Sequence, residues 1–175
     1  MQNLYKPTIG IIESVSFGRR AVDIPAKIDT GADSSSIWAT KIRVGRDGVL
    51  RFSLFGEGSK HYNGKIFKRT DFDVASVKSS NGESEIRYRT HLTVTIADRK
   101  IRAKFNLSDR SNNTYKVLIG RRTISSKFIV DVSCKKSRLP NPAKTKILNR
   151  KMQKNPYQFH KKYVKTKKLR KDKKL

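Results

Sequence analysis

The sequence predicts an all-β domain, either a small closed barrel or a sandwich. Its apolar residues lie in short runs rich in Ile, Val, Phe and Tyr, and several of these runs alternate apolar with polar residues. Turn-forming residues separate the runs, as is typical of small all-β domains. The predicted strands are, in chain order, TIGIIESVSF, RRAVDIPAKID, VLRFSLF, FDVASVK, EIRYRTHLTVTIAD, KIRAKFNLS and KVLIG.

Glycine and aspartate mark the turns between these strands. The clearest signal is Asn81-Gly82, which predicts a type I′ hairpin because both central residues of that turn need a positive φ. Further turns are predicted at Phe17-Gly18-Arg19, Arg46-Asp47-Gly48 and Ala97-Asp98-Arg99. Residues 55–71 are expected to form an irregular insertion. The segment RRTISSKF, which follows Gly120, is the one short helix that we expect.

Charge divides the chain into two parts. Residues 135–175 contain 17 Lys and Arg and one acid, Asp172, which gives a local charge of +16. Residues 1–134 hold the remaining 24 basic and 13 acidic residues and almost all of the apolar runs, for a charge of +11. We therefore expect a folded domain over 1–134 and a basic, disordered tail over 135–175, which lacks the apolar residues for a core.

The sequence also indicates a compartment. A single cysteine, Cys134, excludes an intramolecular disulfide framework and is typical of reducing conditions. The N-terminal residues lack the pattern of a signal peptide, and no apolar stretch approaches the roughly 20 residues that span a bilayer. We expect a cytoplasmic protein without membrane attachment.

One short motif carries candidate chemistry. Asp29-Thr30-Gly31 closes the alternating run VDIPAKI and continues as Ala32-Asp33-x-Ser35-x-Ile37. About ninety residues later the chain reads VLIGR, an apolar run that ends in Gly120-Arg121. Asp-Thr-Gly is also good turn chemistry, so on its own Asp29 is explained equally by a capping role in a loop.

In this order the motifs resemble the retropepsin-like aspartic peptidases, in which a catalytic Asp-Thr/Ser-Gly loop precedes a flap hairpin and an apolar-Gly-Arg segment. A more specific resemblance covers roughly residues 8–133. The stretches KIDTGADSSSIWA, VKSSNGESEIRYR, LSDR and VLIGRR…KFIVDVS are similar to a bacterial family labelled "ATP-dependent zinc protease". That family is associated with RimK-type ATP-grasp ligases, which modify ribosomal proteins, and the resemblance implies a small closed retropepsin-like β-barrel.

The resemblance assigns roles to residues. Asp29 would be catalytic, with Thr30, Gly31 and Ala32 completing the active-site loop. Asp33 would pair with Arg121 in a bidentate, structural contact. The flap would contain Ser79, Ser80, Asn81 and Gly82. For Asp109 and Arg110, in the LSDR motif, substrate contact and a local ion pair remain equal alternatives.

Hydrolysis of a peptide bond needs an activated water and protonation of the leaving nitrogen. Two carboxylates about 3 Å apart can do both, because they share one proton. The chain contains one Asp-Thr-Gly and is about half as long as two such lobes. We therefore expect a symmetric homodimer in which Asp29 of each chain meets its counterpart.

The residues give little support for a metal or for ATP. The three histidines (His61, His91 and His160) and Cys134 are widely spaced, without a His-Glu-x-x-His pattern. Trp38 stands where the family commonly has a histidine. A Gly-x-x-x-x-Gly-Lys-Ser/Thr loop is also missing. We expect no cofactor and no metal, and assign any ATP to a partner ligase.

Two functions from different classes follow. The first is an aspartic endopeptidase or amidase, for which the ligase association suggests glutamyl-modified proteins or acidic peptides as substrates. The second is a noncatalytic binding module that docks on RNA or ribosomal surfaces through its basic tail, where lysines are interleaved with Tyr157, Phe159 and Tyr163. A solvated tail that touches nucleic acid nonspecifically is the alternative to specific docking.

Overall fold

The computed structural model describes residues 6–19, 21–78, 84–135 and 143–162. The chain divides into two units, Met1–Arg138 and Leu139–Leu175. The first unit is built almost entirely from strands, and the described part of the second is helical.

Ten strands and three helices make up the described residues. The strands are β1 (Thr8–Phe17), β2 (Ala21–Asp29), β3 (Ser35–Val44), β4 (Leu50–Leu54), β5 (Ile66–Arg69), β6 (Phe72–Lys78), β7 (Ser84–Ile96), β8 (Arg99–Ser108), β9 (Val117–Gly120) and β10 (Ile129–Lys135). The helices are α1 (Arg121–Ile124), α2 (Ala143–Lys154) and α3 (Pro156–His160).

Six of the strands close into a barrel. They follow the order β1-β2-β9-β3-β8-β7, and β7 returns to β1 through the pairs Val15↔Ile96 and Ser16↔Thr95. The barrel is mixed, because β2 pairs with β9 and β3 pairs with β8 in parallel. Outside the closed ring, β6 extends β7, β4 and β5 extend β3, and β10 runs parallel to β1. The predicted closed all-β barrel is confirmed.

Alternating side chains fill the interior of this barrel. In β8, Ile101, Ala103 and Phe105 are buried, whereas Lys100, Arg102 and Lys104 between them are exposed. This period of two places one face of each strand against the core. The core includes large side chains that are almost fully shielded from solvent, among them Phe52, Phe55, Phe105, Ile24, Ile37 and Ile119.

The structure corrects the predicted elements in four places. β3 and β10 were not among the predicted strands, and β5 lies inside the segment 55–71 that was expected to be irregular. The short helix after Gly120 is present but spans only Arg121–Ile124 of the eight residues expected. β3 was missed because it begins within a serine run, and its first five residues are all buried by strands on both sides.

The second unit contains α2 and α3 in its described part, 143–162. The sequence predicted a disordered tail there. That prediction stays open, because a helix of about a dozen residues is only marginally stable in water without tertiary packing. Across the residues that the structure describes, no helix is long and apolar enough to cross a membrane.

Candidate active site

Asp29 is the last residue of β2 and begins a tight turn. Its side chain is half-buried, whereas Thr30 and Gly31 are exposed. The backbone N–H of Ala32 donates to the carbonyl of Asp29 at 3.2 Å, which folds the chain back at once. The turn therefore presents the carboxylate at the rim of the barrel, next to exposed backbone.

Backbone contacts with the segment that follows β9 hold this turn. The N–H of Arg121 donates to the Ala32 carbonyl at 2.8 Å, and the N–H of Arg122 donates to the Asp33 carbonyl at 3.2 Å. Gly120 makes the approach possible. A Cβ on Gly120 would lie 2.5 Å from the Ser34 carbonyl carbon and 2.9 Å from the Ala32 oxygen, closer than side-chain carbons approach backbone.

A buried polar network supports the turn from below. The Ser35 hydroxyl accepts a hydrogen bond from the Gly120 N–H at 3.0 Å and lies 2.7 Å from the Thr123 hydroxyl. The Asn106 amide donates to the Ser34 hydroxyl at 2.8 Å and to the Ser35 carbonyl at 3.2 Å. Ser36 and Ser108 complete it through a 2.9 Å contact between their hydroxyls. These polar side chains fix the position of the Asp29 loop relative to β8 and β9.

Sequence reasoning missed this network. The signal was present as three consecutive serines followed by an apolar run, and as Asn106 inside an otherwise apolar strand end. A polar residue inside a buried strand needs a partner, which the sequence could not name because its partners lie about 70 to 90 residues away.

The Asp33 carboxylate lies against the Arg121 guanidinium, the contact that the resemblance implies. Its second oxygen lies 3.7 Å from Arg122. The Asp33 carboxylate is therefore shared by two neighbouring arginines and does not pair in bidentate fashion with Arg121 alone. All three side chains are largely exposed, and exposed ion pairs contribute little to stability. The backbone hydrogen bonds and Gly120 therefore hold the loop more firmly than this pair does.

Arg110 lies within electrostatic reach of Asp29. Its Nε donates to the Tyr115 carbonyl at 3.0 Å, and burial together with the charge of Arg87 lowers its pKa, while the Asp29 carboxylate opposes that shift. Asp109 turns away to accept the Ser111 N–H at 2.8 Å, and this hydrogen bond lowers its pKa. Within the described residues Asp109 and Arg110 form no ion pair with each other, whereas Lys116 interacts electrostatically with Asp109 and Asp29 with Arg110, and both alternatives stay open.

A groove of about 570 Å³ runs between β3, the start of β7, which belongs to the predicted flap hairpin, and the end of β8. Its lining includes Trp38, Ile86, Arg87, Tyr88 and Asp109. Asp29 does not line the groove; the groove reaches Asp109, next to Arg110. Within one chain, therefore, the groove lies near the Asp29 carboxylate but does not form a single pocket with it.

The strands of the predicted flap hairpin are present. β6 and β7 pair antiparallel from Phe72↔Thr90 to Lys78↔Ser84, as Asn81-Gly82 predicted. The predicted flap residues themselves (Ser79, Ser80, Asn81 and Gly82) lie outside the described residues. On the β7 arm, Ile86 has 75% of its surface exposed at the edge of the groove.

The described part of the chain brings together no ligand set that fits a zinc ion. In the described ranges no group of three or more His, Cys, Asp or Glu side chains is placed to hold a metal. Trp38 is buried, its ring N–H makes no hydrogen bond of good geometry, and the Lys116 ammonium lies 5.1 Å from its ring centre. His61 packs against Phe55, and burial lowers its pKa, which favours the neutral ring. We route no chemical step through a metal.

The closed barrel, the short helix after β9 and the Asp-Thr-Gly turn at the end of β2 define a retropepsin-like protein. Residues 8–141 match the RimB-like family, described as "Retropepsin-like aspartic endopeptidase RimB". The chain belongs to this family.

Named relatives and a solved structure agree with this family. A probable alpha-L-glutamate ligase of Shewanella pealeana is 33% identical over 113 residues, which cover 63% of this chain and 25% of that protein. A protein of the same name from Desulfotalea psychrophila is 28% identical over 74% of this chain and 29% of its own length. The chain thus matches about a quarter of these relatives. A Legionella pneumophila protein of unknown function aligns with a TM-score of 0.56 and 25% identity over 74% of this chain and 96% of its own.

Proposed function

We propose that the protein is an aspartic endopeptidase or amidase whose catalytic pair consists of Asp29 from each chain of a homodimer. The observation that carries this proposal is the geometry of the turn. Asp29 is held at the barrel rim by hydrogen bonds and by Gly120, while Thr30 and Gly31 beside it are exposed. A second copy of the loop can therefore approach without disturbing the first.

The two carboxylates would divide the chemistry. One, ionised, takes a proton from water as it attacks the carbonyl carbon; the other, protonated, passes its proton to the leaving nitrogen. Thr30 would bond across the two-fold axis, and Gly31 would leave the substrate backbone room. The proposed flap residues 79–82 would close over the bound peptide and exclude water.

The edge strand β10 supports association between two chains. Among the described strands β10 pairs only with β1, so its other edge offers unpaired backbone groups. Ile129 and Val132 on this strand have 56% and 70% of their surface exposed. An edge strand that carries exposed apolar side chains suits a symmetric interface, which would join the two Asp29 turns.

For the substrate we propose a glutamyl-modified protein or another acidic peptide. The domain carries a charge of +11, which attracts acidic chains. Arg87 lines the groove, where it contacts Glu85, and Arg110 lies within electrostatic reach of Asp29; both would pair with glutamate side chains of a substrate. The relatives named as glutamate ligases suggest that a ligase is the functional partner, working in the cytoplasm where Cys134 stays reduced.

Docking on RNA or ribosomal surfaces through the tail is the second candidate. The described segment 143–162 contains seven Lys and Arg and no acid, a composition that binds polyanions by releasing counterions. This activity is compatible with the peptidase and would bring it to a ribosomal substrate.

The peptidase proposal is tested with the full chain and two synthetic peptides of equal length, one of glutamates and one neutral. We expect mass spectrometry to find cleavage of the acidic peptide by the wild type and none by Asp29→Asn. Arg43→Gln, a change at an exposed position of β3, is the matched control and should cleave like the wild type. Equal cleavage by Asp29→Asn would refute the assignment of the catalytic residue.

A further inference from the structure

We propose that the barrel itself, independently of the tail, carries a docking face for double-stranded RNA along the outer surface of β7 and β8. The face consists of two adjoining clefts, of about 170 Å³ and about 320 Å³, which share Arg102. None of the residues that line them lines the groove beside Asp29. This surface is therefore distinct from the groove, although the smaller cleft shares Ser34, Ser35 and Thr123 with the network that supports the Asp29 loop.

Positive charge dominates the face. The two clefts are lined by seven Lys and Arg (Lys68, Arg69, Arg89, Arg102, Lys104, Arg122 and Lys127) and by one acid, Asp71. Two further carboxylates reach these cations: Asp73 contacts Arg89 and Lys104, and Asp33 lies 3.7 Å from Arg122. With all three acids counted, seven cations still leave a charge of +4 on the face.

The cations form a row of regular spacing. Arg102 and Lys104 of the clefts and Lys100, which lies just outside them and extends the face, occupy alternate, outward positions of β8, about 7 Å apart along the strand. Opposite them on β7 lie Thr95, Thr93 and His91, none of them acidic. A straight row of cations at equal intervals matches a regular row of phosphates better than it matches a single small anion.

The chemistry of the lining favours a duplex over a single strand. Of the described residues that line the two clefts, none is Phe, Tyr or Trp, so unpaired bases would find no ring on which to stack. A duplex hides its bases and offers phosphates, which these cations can neutralise. Thr93 and Thr95 stand opposite Arg102 and Lys100 in the ladder, where their hydroxyls would bond ribose 2′-hydroxyls, and this favours RNA over DNA.

The test is binding of a fluorescent RNA duplex to the full chain, measured by anisotropy from low to high KCl. The face variant combines Lys100→Gln, Arg102→Gln and Lys104→Gln. The control variant combines Arg43→Gln, Arg46→Gln and Lys60→Gln, which removes the same charge from exposed positions outside the face. Both variants keep the tail, so any difference between them belongs to the barrel.

We expect the face variant to bind at least about tenfold more weakly at 0.1 M salt and its log–log salt slope to fall by about 2 to 3, one per lost phosphate contact. The control should bind nearly as the wild type does. Equal losses in the two variants would overturn the proposal, because the tail and overall charge would then explain the binding. Equal affinity for a DNA duplex would overturn the assignment to RNA. Displacement of the RNA by a glutamate oligomer that carries the same total charge as the RNA would overturn it as well.

Arg102 and Lys104 contact Asp71 and Asp73, so the face variant could lose stability. The double variant Lys100→Gln, Lys127→Gln avoids both carboxylates and is compared with Arg46→Gln, Lys60→Gln. We expect its salt slope to fall by about 2 relative to this control. An unchanged slope in a folded double variant would contradict the proposal. Cleavage of the acidic peptide should be the same in all four variants, since none of these residues belongs to the proposed active site.

Discussion

Asp29 and Gly120 lie opposite each other in the parallel ladder between β2 and β9, and each is the last residue of its strand. Because parallel strands end at the same edge of a sheet, the candidate carboxylate and the start of α1 leave the barrel side by side. Gly120 lacks the side chain that would push them apart.

Gly120→Ala should destabilise the barrel. The added methyl group would lie 2.5 Å from backbone atoms of Ser34, which are fixed by the network of Ser35, Thr123 and Asn106 and cannot move independently. Overpacking of this kind costs about 1–3 kcal/mol of unfolding free energy. Urea denaturation measures it. A urea midpoint equal to that of the wild type would show that the loop shifts to accept the methyl group without loss of unfolding free energy.

Gly31→Ala should keep the fold and lose the activity. Among the described residues beyond its chain neighbours, the one atom near the new methyl group is Asp29 Oδ1 at 3.6 Å, an ordinary contact, so the urea midpoint should stay close to that of the wild type. In the proposed dimer this exposed position faces substrate and the partner loop, where a methyl group would intrude. Full peptidase activity in Gly31→Ala would argue against a crowded, shared site.

Mixing wild-type and Asp29→Asn chains should distinguish a shared pair of carboxylates from independent sites. If each active site needs Asp29 from both chains, an equal mixture after subunit exchange contains about one quarter wild-type dimers and retains about a quarter of the activity of undiluted wild type. If each chain acts alone, half remains. The cleavage rate of the acidic peptide across mixing ratios gives a parabola or a straight line, and a straight line would refute the shared pair.

Arg110→Gln should weaken binding of acidic substrate. Gln retains a donor for the Tyr115 carbonyl but removes the charge that lies close to Asp29. Loss of a charged hydrogen bond typically costs 1.5–3 kcal/mol, so KM for a glutamate peptide should rise about tenfold or more, while cleavage of any neutral substrate should change little. Equal effects on acidic and neutral peptides would point to a structural role for Arg110.

Acid should destabilise the barrel through Asp73. Hydrogen bonds from Arg89 and then Lys104 lower the pKa of Asp73 from 3.8 to about 2. A carboxyl group whose pKa is lowered by folding stabilises the native state above its unfolded pKa, and this contribution disappears as the pH falls from about 4 to about 2. Asp73→Asn should therefore lower Tm at pH 7 and flatten its decline over that interval. Tm is measured by circular dichroism at each pH. Curves of Tm against pH that run parallel for the variant and the wild type would contradict this prediction.

The sequence by itself determined those features that depend on neighbouring residues. The runs TIGIIESVSF and FDVASVK, rich in Ile, Val and Phe, predicted the bounds of β1 and β6 to the residue, and Asn81-Gly82 indicated the antiparallel pairing of β6 with β7. The order of Asp29, the hairpin and Gly120-Arg121 indicated the retropepsin-like class, and four longer stretches between residues 8 and 133 indicated the family that the later match showed.

Only the tertiary structure decided what depends on distant residues. β3 became a strand because β4, β8 and β9 bury a serine-rich start that locally resembles a loop. Arg110 reached Asp29, and the cations of β8 met those beyond α1, only when the barrel closed. The physical reason is that strand pairing and ion contacts act across space, whereas periodicity reports only which face of its own strand a residue occupies.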